Sequence, residues 1–387
     1  MYILVLFSYI FFLVHADNWA ILVAGSNGYW NYRHQADICH AYHVLHDNGY
    51  PDNRIIVMMY DDIAYNDDNP FKGNIINKPN GPNLYTGMLK DYIGEQVNPI
   101  NFLNILKGIK TENTTKVLLS NQNDDIFIYF ADHGGPGIIA FPDDYLYAHQ
   151  LIDTMKYMYN KKMYRRIVFY LEACESGSMF NGYLDDKMNI YAMTASTPFE
   201  SSYACYYDNT RNAFLGDVYS VNWIENSDMF HVLSESIHDQ FRIDKIETKT
   251  STVCQYGNLT ISNDHLYQYL AYNVTSQILN EKINKKYKNI YLNKVVNSHD
   301  IQLKYFMDMN KDTEFMIMYK KYQLEYDYVS NNYNLKNLNK TNICNDKSSI
   351  IDSTCIKKHI DIIEKNVGKL SDKGLSLLKF MSHLCYL

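Results

Sequence analysis

The chain has 387 residues, 47% of them apolar and 20% charged, with a net charge of −7. That composition is globular rather than disordered, and the length leaves room for a large core and two domains. With no basic excess there is no electrostatic footprint for nucleic acid, and no such partner is expected.

Residues 1–14 are almost wholly apolar and then meet His15, Ala16 and Asp17. The run is shorter than the ~20 residues that span a bilayer as a helix, and Val14 and Ala16 supply small residues for a signal-peptidase cut. Residues 1–16 therefore read as a secretory signal peptide. No later stretch is apolar enough for a membrane anchor. Secretion agrees with four glycosylation sequons, at Asn113, Asn258, Asn273 and Asn339.

From residue 18 short apolar runs alternate with helical stretches. Trp19–Gly25 reads as a buried strand, His34–Asn48 as a helix stopped by Gly49 and Pro51, and Arg54–Tyr60 as a second strand. Residues 61–98 are rich in Asp, Asn, Pro and Gly and read as a long loop. A helix over Pro99–Lys110, strand 125–131, helix 147–160, strand 166–171 and strand Met188–Thr194 complete a β-α-β series. Such alternation predicts an α/β fold, a mostly parallel sheet with helices on both faces. Beyond about residue 265 the strand signal vanishes. Residues 280–289 have linker composition, and 310–330 and 350–385 have helical spacing, as at Ile360, Ile363, Val367 and Leu370.

Two of the strands stop abruptly at chemistry-bearing residues. Strand 125–131 runs into Asp132-His133-Gly134-Gly135, and strand 166–171 into Glu172-Ala173-Cys174-Glu175-Ser176-Gly177. Parallel neighbours would bring thiol and imidazole to the carboxyl-end edge of the sheet, where ligands bind in open α/β folds. A cysteine beside a histidine there is equipment for nucleophilic attack on a carbonyl. The backbone N–H groups at Gly134 and Cys174 are the candidate oxyanion donors. The first strand delivers Gly25-Ser-Asn-Gly-Tyr-Trp-Asn-Tyr-Arg-His-Gln-Ala-Asp37 to the same edge.

Long stretches, among them Asn31-Tyr-Arg-His-Gln-Ala-Asp37, Asp132-His-Gly134, Glu172-Ala-Cys-Glu-Ser-Gly-Ser-Met179 and Ser201-Ser-Tyr-Ala-Cys-Tyr-Tyr-Asp208, closely resemble the legumain family, the asparaginyl endopeptidases among caspase-like cysteine peptidases. The resemblance covers most of residues 18–260. It implies a caspase-like catalytic domain over 17–265, with Cys174 as nucleophile, His133 as general base and Asn31 orienting the imidazole. It places Arg33, Glu172, Ser201 and Asp217 in the S1 pocket, with His34 and Ser202 as further substrate contacts. An asparagine side chain offers one acceptor and two donors, which suits a pocket holding both an arginine and carboxylates. Aspartate is expected to enter only when protonated, hence in acid.

The resemblance further implies a zymogen with a linker or activation segment over 266–310, cut at a site such as Asn310. A small all-α pro-domain follows over 311–387, matched more weakly. Family pro-domains carry two disulfides, whereas this one has Cys344, Cys355 and Cys385. By position the bridge expected is Cys344 with Cys385, leaving Cys355 without its partner. Cys39 and Cys205 are expected to be buried thiols, and Cys254 has no assigned role. Expected partners are Asn-containing proteins and peptides, the chain's own pro-domain, and cystatin-type inhibitors. No metal or organic cofactor is implied, and the expected setting is a lysosome-like acidic vesicle or secretion. Rival readings are peptide ligation, the transamidase that attaches glycolipid anchors, and a secreted binding module that kept the fold.

Overall fold

The chain is described here by a computed structural model covering residues 17–112, 114, 116–228, 231–272, 294–333, 344–345 and 350–386. The expected signal peptide and Asn113, Asn273 and Asn339 lie outside the described residues, as does the polar run 280–289.

Apolar runs too short for helices form the sheet. In chain order the central elements are β1 (Asn18–Ala24), α1 (Tyr32–Asp47), β2 (Ile55–Met58), α2 (Pro99–Lys107), β3 (Asp125–Ala131), β4 (Gly134–Gly135), β5 (Ile138–Ala140), β6 (Tyr145–Tyr147), α3 (Ala148–Asn160), β7 (Arg166–Glu172) and β8 (Ile190–Thr194). There follow β9 (Tyr203–Asp208), β10 (Ala213–Asp217), α4 (Val218–Asp228), α5 (Ile237–Glu247) and β11 (Cys254–Gly257). Six strands form one sheet in the order β11-β8-β7-β3-β1-β2, parallel except for β11 at its edge. Local signals fix the helix ends. On α2, Pro99 fills the first turn, Asn98 caps the Asn101 N–H at 2.9 Å, and Gly108 (φ 67°) closes the helix in the left-handed region.

Alternation along β1 divides the core. Ala20, Leu22 and Ala24 pack with α1, α4 and α5 on one face, while Trp19, Ile21 and Val23 pack with α2 and α3 on the other. Both faces are covered, so the strands can be apolar throughout. Register then positions the site. Ala24 pairs with Ala131 and Ala131 with Glu172, and the ladder continues as Gly25 N–H to Ala131 O and Asp132 N–H to Glu172 O. Gly25, His133 and Cys174 therefore leave the sheet at one edge.

Beyond residue 265 the strand signal has not quite ended. Val296–Asn297 (β12) pairs antiparallel with β9, giving a three-stranded sheet β10-β9-β12. Two residues are too few for a period-two pattern to register. Helices α6 (Tyr267–Leu270), α7 (Ile301–Asp308), α8 (Asp312–Asn332) and α9 (Ser353–Val367) follow the central domain, with short turns through Cys385. Ile356, Ile360 and Ile363 recur on one face of α9 and pack with Val329, Leu378 and Met381 against Ile138, Ala140, Tyr145 and Tyr147 of the β4-β5-β6 sheet. The C-terminal helices thus share a core with the central domain.

The disulfides differ from the expected Cys344–Cys385 bridge. Cys355 joins Cys385 (Cα–Cα 5.5 Å) and Cys344 joins Cys254 (Cα–Cα 5.6 Å). The Asp352 N–H to Cys385 O bond and the Ile351–Tyr386 bridge bring the start of α9 against the chain's last turn, so Cys355 is the thiol within reach of Cys385. Cys344 instead lies against edge strand β11. Cys39 and Cys205 are free and buried, as expected.

Candidate active site

Asn31 stands at the N-terminal end of α1, just beyond β1. Its Oδ1 lies 2.9 Å from His133 Nε2. An amide oxygen only accepts, so the imidazole proton sits on Nε2, leaving the unpartnered Nδ1 as the basic nitrogen. Asn31 is itself held by Nδ2 donating to Asn27 O at 3.0 Å. Burial lowers the His133 pKa to about 4; Asp372 opposes that shift, and Arg33 and His299 add to it. His133 is therefore neutral and able to accept a proton over most of the pH range.

Cys174 is fully buried, and its Sγ accepts the Ser202 N–H at 3.3 Å. The next residue, Glu175, adopts φ 49°, a sharp turn just beyond β7 that carries the cysteine off the sheet edge. Ser176 is held by its N–H to Ser196 Oγ at 3.1 Å. Gly134 packs directly on the Cys174 peptide, where a Cβ would sit 2.3 Å from the Cys174 carbonyl oxygen. Only glycine permits that approach.

Beside this pair lies a fully buried charged hollow. Arg33 Nε donates to Asp217 Oδ1 at 2.9 Å, and Nη1 reaches Asn31 Oδ1 and Trp30 O, each at 3.3 Å. Among the described residues Arg33 Nη2 has no hydrogen-bond partner. Glu172 Oε2 accepts the Ser220 N–H at 3.1 Å and hydroxyl at 3.0 Å, while its Oε1 has no hydrogen-bond partner among the described residues. His34 lies 3.5 Å from both Asp132 Oδ1 and Asp217 Oδ2 and meets the His133 ring edge-on at 5.1 Å. Burial raises the Asp37, Asp132, Glu172 and Asp217 carboxyl pKa values and lowers that of His34. Of the two serines, Ser202 contacts Cys174, and Ser201 stands half-buried beside it.

Three residues here escaped the sequence reading. After β12, Ser298 N–H donates to Ser202 O at 3.1 Å, and its hydroxyl lies 3.3 Å from that of Ser202. The His299 ring stacks on His133 at 6.4 Å, and its Nε2 is 3.5 Å from Glu175 Oε2. Asp372 Oδ2 lies 3.4 Å from His133 Nε2. Nothing in the sequence marks Ser298 and His299 within a linker-like stretch or Asp372 among the C-terminal helices; a histidine beyond the sheet is the one signal that could have raised His299. Asn310 is exposed in the turn between α7 and α8, and Asn258 is half-buried, with its Oδ1 accepting the Thr260 N–H.

The model of the Peptidase C13 family matches residues 18–272. This chain belongs to the peptidase C13 family. Legumain from Homo sapiens is 55% identical over 256 residues, 65% of this chain and 59% of that protein. Hemoglobinase from Schistosoma japonicum is 44% identical over 301 residues, 78% and 71% of the two chains. A vacuolar-processing enzyme from Vicia sativa is 39% identical over 378 residues, 93% and 72%. The chain thus spans about 59% of the length of the legumains it matches. The peptidase C13 match contains Asn31, Arg33, His133, Cys174 and Asp217, whereas His299 and Asp372 lie beyond it.

Proposed function

We propose that this protein is the latent form of a cysteine endopeptidase that cuts after asparagine. His133 Nδ1 takes the Cys174 proton, Sγ attacks the carbonyl carbon, and the C–N bond breaks as the amine leaves with that proton. Water then hydrolyses the thioester. Backbone N–H groups at Gly134 and Cys174 are the oxyanion donors, each worth about 3 kcal/mol of barrier.

The observation that carries the specificity is the pair of orphaned polar atoms in the hollow, a donor at Arg33 Nη2 and an acceptor at Glu172 Oε1. An asparagine carboxamide satisfies both, its oxygen on the guanidinium and its N–H on the carboxylate. A side chain lacking those groups leaves them unpaired, which is how such pockets discriminate by large factors. Aspartate fits once protonated, hence in acid.

Latency rests on Ser298, His299 and Asp372 filling the cleft, so the C-terminal region acts as an inhibitor in cis until a cut at a site such as Asn310 detaches Asp372 and leaves Ser298 and His299 on a loose tail of the catalytic domain. Protein substrates and cystatin-type inhibitors would compete for the cleft it vacates. The name vacuolar-processing enzyme, borne by the Vicia sativa relative, supports an acidic compartment such as a vacuole or lysosome. The test is peptide cleavage after acid incubation, with fragments mapped by mass spectrometry. Cuts after Asn that iodoacetamide and Cys174→Ala abolish are expected; cuts without residue preference, or turnover surviving Cys174→Ala, would overturn the proposal.

A further inference from the structure

Cys174 Sγ, a Glu175 carboxylate oxygen and a His299 ring nitrogen all lie within 4.8 Å of one another. All three residues are buried, at 0%, 2% and 1% exposure. Two come from the turn after β7 and the third from the segment that fills the cleft. His299 Nδ1 is 2.8 Å from the Asp372 carbonyl oxygen, which only accepts, so Nδ1 carries a proton and Nε2 is the nitrogen turned toward Cys174 and Glu175. A carbonyl gripping the far nitrogen is how proteins orient imidazoles that bind metals. Nε2 and Glu175 Oε2 are 3.5 Å apart, and among the described residues neither has a closer hydrogen-bond partner. A carboxylate oxygen and an imidazole nitrogen this close in a buried space share a cation, which is a proton on Nε2 unless a metal ion takes its place.

Thiolate sulfur, imidazole nitrogen and carboxylate oxygen are the ligand types of zinc, and three protein ligands plus water complete its tetrahedron. We propose that the uncleaved chain binds one zinc ion through Cys174 Sγ, Glu175 Oε2 and His299 Nε2, clamping residues 296–300 onto the nucleophile. The inference rests on the reading of Cys174 as nucleophile and this segment as its cover. The site is complete only while the segment is docked, so undocking removes a ligand and zinc protects the latent state.

The uncleaved chain, metal-stripped and held at neutral pH without reductant, is titrated with Zn2+ against a chromophoric chelator, and separately with Cd2+. One ion per chain and a sulfur-to-cadmium charge-transfer band are expected. His299→Gln weakens binding at least about tenfold, His299→Cys restores it, and zinc slows iodoacetamide capture of Cys174 in the parent but not in His299→Gln. Should His299→Gln fail to melt cooperatively, Glu175→Gln serves as the second variant, with the same weakening expected. Absence of stoichiometric binding, or unchanged affinity in these variants, overturns the proposal. Asn-peptide turnover by the acid-cleaved chain is measured in parallel. If turnover depends on Cys174 while zinc fails to bind, the metal site falls and the peptidase stands.

Discussion

Replacing Gly134 with alanine tests the site where it is packed most tightly. The added Cβ would lie 2.3 Å from the Cys174 carbonyl oxygen and 3.0 Å from the Ala173 Cβ, where ordinary contact begins at 3.4 Å. The Cys174 peptide or the β4 backbone must therefore retreat by roughly 1 Å. Neither yields easily. β7 is held between β3 and β8 along its length, and Gly134 is paired with Ile139. Overpacking of this kind costs about 1–3 kcal/mol of stability. A misplacement of about 1 Å at reacting atoms lowers turnover about a hundredfold, equivalent to about 2.7 kcal/mol of barrier. The assay is kcat and KM on an Asn peptide after acid cleavage, with melting temperature in parallel. The loss should fall on kcat, because the oxyanion and sulfur move while the Arg33 hollow does not. Parent-like kcat in a folded Gly134→Ala protein would refute the reasoning.

The remaining expectations concern charge and pH. Arg33→Lys keeps the charge but loses the forked contacts to Asp217 and Asn31, so kcat/KM for Asn peptides should fall at least about a hundredfold; an undiminished preference for Asn over Gln would contradict the pocket reading. Asn31→Ala frees the His133 ring and should lower kcat with little change in KM, a split that steady-state kinetics reads directly. Burial raises the pKa values of Asp37, Asp132, Glu172, Asp217 and Asp244, so their contribution to stability is full below the unfolded value of about 4 and is lost as pH rises through the folded values. His34 and His133 act with the opposite sign: their contribution, full above about 6.5, drains as pH falls toward the His133 value of about 4. The melting temperature should therefore rise from roughly pH 8 to about 6.5, and Asp244→Asn should flatten that rise. A profile that falls over this interval would contradict the sign.

Much of the sheet was legible because its strands are uninterrupted apolar runs, and where such a run breaks at Asp132 or Ala173 the functional edge announces itself. Strands β9, β10 and β11 were less legible. Tyr203–Asp208 and Cys254–Gly257 mix tyrosine with polar residues, and their extended form comes from neighbours rather than from a period of two. The hollow was readable residue by residue through family likeness, but the orphaned atoms on which the proposed selectivity rests are a product of packing. His299 and Asp372 reach the cleft from more than 120 residues beyond Cys174, through a register no local pattern encodes. Disulfide partners are equally non-local: Cys254 and Cys344 meet only because the C-terminal region lies along the edge strand.

That bridge changes what a single backbone cut can accomplish. Scission near Asn310 would separate two polypeptides in sequence but leave them leashed through sulfur, with Cys344 only nine residues from the start of α9. A departing inhibitor on so short a leash returns at an effective concentration on the order of millimolar, however dilute the solution. Freedom for the cleft would then require a reductant or a second scission between Cys344 and Ser353, so the proposed maturation would answer to thiol chemistry as well as to acid. Non-reducing electrophoresis of the acid-treated chain, where one band should split only on reduction, reads this directly.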